Sequence, residues 1–114
     1  MEINNPVDGF ERALSMVPSC TLDADGRRAQ KARYRALTQA ITGVRREPET
    51  VLVDFDEHVD PALVEEVIAV EHACCPSLRF EFDPVTGRLS VTVADPVMLP
   101  ALDAIEDAFA GALR

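Results

Sequence analysis

Apolar positions recur at two different spacings along the chain, and the changes between them mark its predicted elements. From residue 25 to residue 42 the large side chains recur every three or four residues, which predicts an amphipathic helix ended by Gly43. Asp23 or Asp25 supplies its N-cap. The β-branched, apolar run Thr50–Phe55 is typical of a well-buried strand. The helix stripe comprises Gln30, Tyr34, Leu37, Ile41 and Val44.

The second half of the chain predicts a helix, a hairpin and a last helix. Asp60 is a helix cap and Pro61 suits the first helical position, so a helix is expected from about 61 to 74. The segments 78–82 and 89–93 alternate apolar and polar side chains on either side of a turn, as in a β-hairpin. A final helix begins at Asp95-Pro96, and its predicted buried stripe is Met98, Leu102, Ile105 and Phe109.

These elements predict an α+β fold in which helices pack on a small mixed sheet, in the order (β)-α-β-α-β-β-α. Residues 1–17 form a lead-in, and residues 18–114 form a single domain. If a short first strand forms near Cys20, the order is thioredoxin-like. Without it, the order is that of a truncated ferredoxin-like sandwich. No Cys-x-x-Cys follows Phe55, so thioredoxin-type disulfide exchange is not expected.

Composition and charge narrow the class of protein. The 114 residues are 47% hydrophobic and 27% charged, which is typical of a globular domain. A net charge of -9 argues against nucleic-acid and anionic-membrane binding, because phosphates are bound by Lys and Arg. No glycine pattern predicts a nucleotide cofactor. No apolar run approaches the ~20 residues of a membrane span, and no signal peptide is evident, so a cytoplasmic, reduced chain is expected.

The charge is unevenly distributed along the sequence. Seven of the eleven basic residues lie between positions 27 and 46, whereas fifteen acidic and three basic residues lie from Glu47 onward. A basic helix 27–46 and an acidic body are complementary surfaces for a homodimer or for an acidic protein partner. A solvated helix face explains the same pattern without any partner.

The most reactive side chains are the neighbouring Cys74 and Cys75 at a helix end. A helical step of about 100° separates them, so one packs inward while the other meets solvent or a ligand. Glu71 and the negative end of the helix dipole disfavour a thiolate, which favours metal-induced deprotonation over a nucleophilic cysteine. Alternatively, Cys74 is only a small core residue.

A soft-metal site is predicted if Cys20 approaches this pair. Three thiols suit mercury, arsenite, copper or zinc, with His72 or Asp23 as a fourth ligand or proton donor. The expected protein is then a non-catalytic metal-binding one, with Cys20, Cys74 and Cys75 as ligands. A lone Cys20 that serves only as a core residue is the alternative.

A family resemblance points toward related chemistry. The segment Cys20-Thr-Leu-Asp23, the run 51–55, the following helix with Cys74-Cys75 and the strand 78–82 resemble the core of bacterial organomercurial lyase. The resemblance covers about half the chain. It implies carbon–mercury protonolysis by Cys20, by Cys74 or its neighbour, and by Asp23. The arginine-rich helix between these sites departs from the family pattern. The segment 27–37 followed by Cys-Cys-Pro is also similar to small uncharacterised bacterial proteins.

Overall fold

The structure is a computed structural model, and it describes residues 23–74 and 77–111. The expected lead-in over 1–17 and the conditional first strand near Cys20 lie outside these residues. The described elements follow one another as helix, two strands, helix, two strands and helix.

The first helix, α1, covers Ala24–Thr38 and is followed directly by a strand, β1, over Ile41–Glu47. The sequence-based prediction of a helix to residue 42 is therefore wrong at its end. Ile41 and Val44 keep the helical spacing after Leu37, but β-branched side chains are less favourable in a helix than in a strand. The predicted basic helix 27–46 is wrong for the same reason, because its last two arginines lie on β1.

The remaining elements lie where the sequence predicts them. The strand β2 covers Thr50–Phe55, and Asp60 caps the next helix through its carboxylate, which accepts a hydrogen bond from the Ala62 amide at 3.0 Å. The predicted hairpin is confirmed, and Met98, Leu102, Ile105 and Phe109 are all buried. In chain order these elements are α2 (Pro61–Cys74), β3 (Leu78–Asp83), β4 (Arg88–Val93), a 3-10 turn (Pro96–Met98) and α3 (Leu99–Ala110).

The four strands form one sheet in the order β1-β2-β4-β3. The predicted α+β class, with helices packed on a small sheet, is confirmed. The described sheet is antiparallel at every pairing instead of mixed, because two hairpins, β1–β2 and β3–β4, meet through antiparallel pairing of β2 with β4. This pairing of β2 with β4, here called the central seam, joins two halves of the molecule that are each continuous in sequence. One half runs from α1 to β2, and the other from α2 to α3.

The two faces of the sheet differ sharply. The inner face carries Val51, Val53, Leu89 and Val91, which are fully buried, and helix α3 contacts β1, β2 and β4. The opposite side, here called the outer face, carries the alternate residues of each strand, which are polar with the exception of Leu52 and Gly43 and are half-buried or exposed. The predicted well-buried strand Thr50–Phe55 is thus buried on one face only.

Helices α1 and α2 run antiparallel to each other. The end of α1 lies near the start of α2, where Leu37 and Leu63 line the same groove. Toward the other end, the Gln30 side chain donates to the Val67 carbonyl at 3.2 Å. The start of α1 and the end of α2 therefore lie at one end of the molecule, here called the thiol end. Among the described helices, none has the length and apolar character needed to cross a membrane.

Candidate functional site

The last turn of α2 buries Cys74 at the thiol end. The side chain is 2% exposed and the residue is disulfide-bonded. The sequence has three cysteines, and the other two, Cys20 and Cys75, lie outside the described residues. The sequence alone predicted a reduced chain with free thiols. The structure instead presents Cys74 in the oxidised state.

His72 lies on the exposed side of the same helix turn. Its Nε2 atom accepts a hydrogen bond from the Phe80 amide at 3.2 Å, and the two rings meet edge to face with centroids 6.3 Å apart. The imidazole is therefore held against strand β3 with one nitrogen occupied. A metal ion at His72 would bind Nδ1 or would displace this hydrogen bond.

Asp23 has a structural contact of its own. Its carboxylate accepts a hydrogen bond from the Gly26 amide at 2.7 Å and so caps helix α1, as the sequence allowed. Because α1 and α2 are antiparallel, this cap lies at the thiol end, and Cys20 precedes it by three positions in the sequence.

The five predicted metal ligands thus fall into two groups. Asp23, His72 and Cys74 are described, and each makes a contact that serves the fold. Cys20 and Cys75 lie outside the described residues. Within 23–74 and 77–111, no group of three or more His, Cys, Asp and Glu side chains is placed to hold a metal ion.

A buried polar cluster adjoins Cys74, and sequence reasoning missed it. Glu71 and Gln30 are 2% and 0% exposed, and the Glu71 carboxylate accepts hydrogen bonds from Gln30 Nε2 at 3.0 Å and from the Tyr34 hydroxyl at 3.1 Å. Burial of a carboxylate is costly unless hydrogen bonds compensate for the lost water. The cluster therefore fixes the relative position of α1 and α2 one turn before the cysteine.

Arg33 connects this cluster to the surface. Its guanidinium donates to Gln30 Oε1 at 2.9 Å and lies 3.5 Å from Glu66. A signal for the cluster was present in the sequence, since Gln30 falls within an otherwise apolar stripe of α1. Glu71 likewise follows Val67 and Ile68 at helical spacing. Polar residues at core positions of two neighbouring helices indicate a buried hydrogen-bond network.

The basic stretch 27–46 also makes contacts within the chain. Arg46 donates to Asp103 at 2.6 Å and to Glu106 at 2.9 Å. Burial lowers the pKa of Arg46, but these hydrogen bonds and charges outweigh that effect and raise the pKa above its usual value. Arg28 lies 3.2 Å from Asp25 on the exposed face of α1. Part of the basic charge is thus compensated by acidic residues of the same molecule.

Comparison of the chain with protein-family models, with curated proteins and with solved structures found no match.

Proposed function

We propose that the thiol end is a site for a soft metal or metalloid ion, and that its reduced form binds the ion. The observation that supports this is the disulfide bond of Cys74. Two cysteines that form a disulfide are near enough, once reduced, for both sulfurs to bind one ion at the ~2.3 Å typical of zinc–thiolate bonds.

The chemistry requires a change of redox state first. Two electrons and two protons from a dithiol reductant convert the disulfide to two thiols, and the reductant becomes a disulfide. A metal cation then binds the sulfurs and releases the thiol protons to solvent, because thiolate is the form that binds metal, whereas arsenite releases one water for each arsenic–sulfur bond formed. In the cytoplasm, the location that the sequence predicts, the glutathione pool favours the reduced form. Zinc, copper(I), mercury and arsenite all have the required affinity for sulfur.

The surroundings of Cys74 favour binding over catalysis. Glu71, one turn earlier, and the C-terminal end of α2 both oppose an isolated thiolate, whereas a bound cation would offset them. The organomercurial-lyase-like alternative needs Asp23 as a catalytic third residue, but the Asp23 carboxylate already caps α1. We therefore propose a non-catalytic site, with Cys20, Cys75, Asp23 and His72 Nδ1 as the candidate further ligands.

A melting experiment on reduced protein tests the proposal. The disulfide is reduced, the reductant is removed without air, and zinc, copper(I), mercury or arsenite is added. An ion present at 100 times its Kd stabilises the folded state by about 2.7 kcal/mol, which corresponds to a Tm increase of roughly 10 °C. The variant Cys74→Ala should lose this increase. The matched control His58→Ala, an exposed side chain distant from the thiol end, should keep it.

Two further measurements separate binding from general effects of the ions. The oxidised protein should show no Tm increase, because its disulfide occupies the sulfur of Cys74. If Cys74→Ala is too unstable to assay, Cys75→Ser and Cys20→Ser identify which second sulfur is required. A melting curve of the reduced wild type that none of the four ions changes would refute the proposal.

A further inference from the structure

We propose that the outer face of the sheet binds the outer face of a second copy of this chain, in one particular two-fold arrangement. This inference involves no cysteine and is independent of the proposed metal site. Residues paired in an antiparallel sheet point to the same side. The registers of the three strand pairs therefore define three rows across the outer face. From β1 to β3, the rows are Glu47-Thr50-Thr92-Arg79, Arg45-Leu52-Ser90-Glu81 and Gly43-Asp54-Arg88-Asp83.

The outer face is nearly neutral, unlike the molecule as a whole. Its rows contain four acidic and three basic side chains, which sum to -1, whereas the whole chain carries -9. Like charge opposes the approach of two copies at most surfaces. At the outer face, therefore, the local repulsion between two copies is small, and only their net charges repel at longer range.

The charges on the two edge strands are complementary to each other. A two-fold axis parallel to the strands, lying between two outer faces, places β1 of one copy over β3 of the other and β2 over β4. Each row then lies over the same row of the second copy, in reverse order. Every such superposition of two charged side chains brings opposite signs together. The opposed pairs are Glu47 with Arg79, Arg45 with Glu81, and Asp54 with Arg88, each occurring twice.

The other in-plane arrangement is less favourable, because it opposes Arg79 with Asp83 twice in place of six opposite-charge pairs and adds two like-charge pairs. A two-fold axis perpendicular to the strands places each strand over itself with the rows reversed. In the middle row, Arg45 then meets Arg45 of the second copy and Glu81 meets Glu81 of the second copy. Like charges directly opposed are destabilising, so the sequence of charges selects the first arrangement.

The centre of the face suits close packing. Leu52 and Ser90 form the middle of the second row, and the hydroxyls of Thr50 and Thr92 lie 3.2 Å apart in the first. The strands of two packed sheets cross at about 30°. The edge strands, which lie about 7 Å from the two-fold axis, are therefore displaced by about 4 Å from the strands that they face. Arginine and glutamate side chains are long enough to span that displacement, so the ion pairs can still form between twisted sheets.

The size of the face predicts a weak dimer. Four strands about 4.8 Å apart and three rows about 6.8 Å apart cover roughly 19 by 20 Å. Such a face, about 400 Å² per copy, is about half the ~800 Å² per partner of a standard specific interface, so we expect a weak dimer with a Kd on the order of 100 µM. Salt should weaken association, since the Debye length falls from about 30 Å at 0.01 M to about 3 Å at 1 M.

A charge-exchange experiment tests this arrangement by sedimentation equilibrium at low salt. In a dimer of Arg45→Glu, each new glutamate faces Glu81 of the other copy. In a dimer of Glu81→Arg, each new arginine faces Arg45 of the other copy. Each variant alone should therefore lose at least about tenfold in dimer affinity. An equimolar mixture of the two variants should associate as the wild type does, because each new charge then faces its opposite. The double variant should also regain wild-type association.

Controls match the charge changes elsewhere on the surface. Arg28→Glu on α1 and Glu65→Arg on α2 alter the net charge by the same amounts and should leave the dimer affinity unchanged. The proposal is overturned if the wild type is monomeric at millimolar concentration and low salt. It is also overturned if the mixture of variants fails to associate, which would assign the face to solvent, to another segment of the chain or to a different partner.

Discussion

Buried hydrogen bonds at single residues determine how the two helices of the thiol end are held. The Glu71 carboxylate accepts hydrogen bonds from the Gln30 amide at 3.0 Å and from the Tyr34 hydroxyl at 3.1 Å. Tyr34 also packs its ring against Phe109, with centroids 5.5 Å apart. One carboxylate thus connects α1 to α2 beside an aromatic contact with α3. Because these groups are out of reach of water, none can be removed without leaving its partners unsatisfied.

Removal of the Glu71 carboxylate should destabilise the protein strongly. Glu71→Ala leaves the amide of Gln30 and the hydroxyl of Tyr34 with one acceptor fewer, which should cost about 2 to 4 kcal/mol in the free energy of unfolding. Glu71→Gln keeps an oxygen that can accept from Tyr34 and should cost only about 1 kcal/mol. Urea unfolding of the oxidised proteins measures both. Equal losses for the two variants would show that the acceptor oxygen is unimportant.

At the scale of elements, the sequence predicts the second half better than the first. The segments 78–82 and 89–93 alternate clearly and are separated by a turn, so the local pattern is sufficient. The strand β1 was missed because Ile41 and Val44 continue the spacing of Leu37 on α1. So short a stretch of apolar residues is compatible with either a helix or a strand. The pairing of β1 with β2 determines that a strand forms.

The turn between β3 and β4 depends on one glycine. Gly87 has a φ of 73°, and a Cβ there would lie 2.8 Å from the carbonyl oxygen of Phe55. Gly87→Ala should therefore cost about 2 to 3 kcal/mol of stability, from the left-handed backbone and the close contact together. The matched variant Gly43→Ala places its Cβ 3.7 Å from Asp54 and should change stability by less than about 0.5 kcal/mol. Thermal unfolding compares them, and a tolerated Gly87→Ala would contradict this account of the turn.

At the scale of the whole molecule, contacts distant in sequence close the fold. The inner-face pairs Val51 with Val91 and Val53 with Leu89 form the central seam between the two halves. The sequence indicates that these residues are buried, but it cannot supply the register between strands that are not neighbours along the chain. The charge rows of the outer face follow from that register and were therefore not predicted. The disulfide of Cys74 was missed for a similar reason, since cysteine spacing does not reveal spatial proximity.

Arg46 provides a further connection between the halves. Its guanidinium joins β1 to the carboxylates of Asp103 and Glu106 on α3. Arg46→Met should lower the free energy of unfolding by about 1 to 2 kcal/mol, because two charge-assisted hydrogen bonds are lost at a half-buried site. The neighbouring Arg45→Met, on the exposed outer face, should cost less than about 0.5 kcal/mol in dilute protein. Denaturant titrations compare the pair, and a similar effect of both substitutions would argue against the connection.

The contact between His72 and Phe80 has a consequence for the edge of the sheet. Strand β3 is an outermost strand of the sheet that the described residues form, and unpaired amides along such a strand can pair with a further strand, which is a common route to aggregation. The Phe80 amide already donates a hydrogen bond to the imidazole of His72. An incoming strand would have to expel the histidine ring to pair at this position. We therefore expect His72 to hinder the addition of a further strand along β3 at this position.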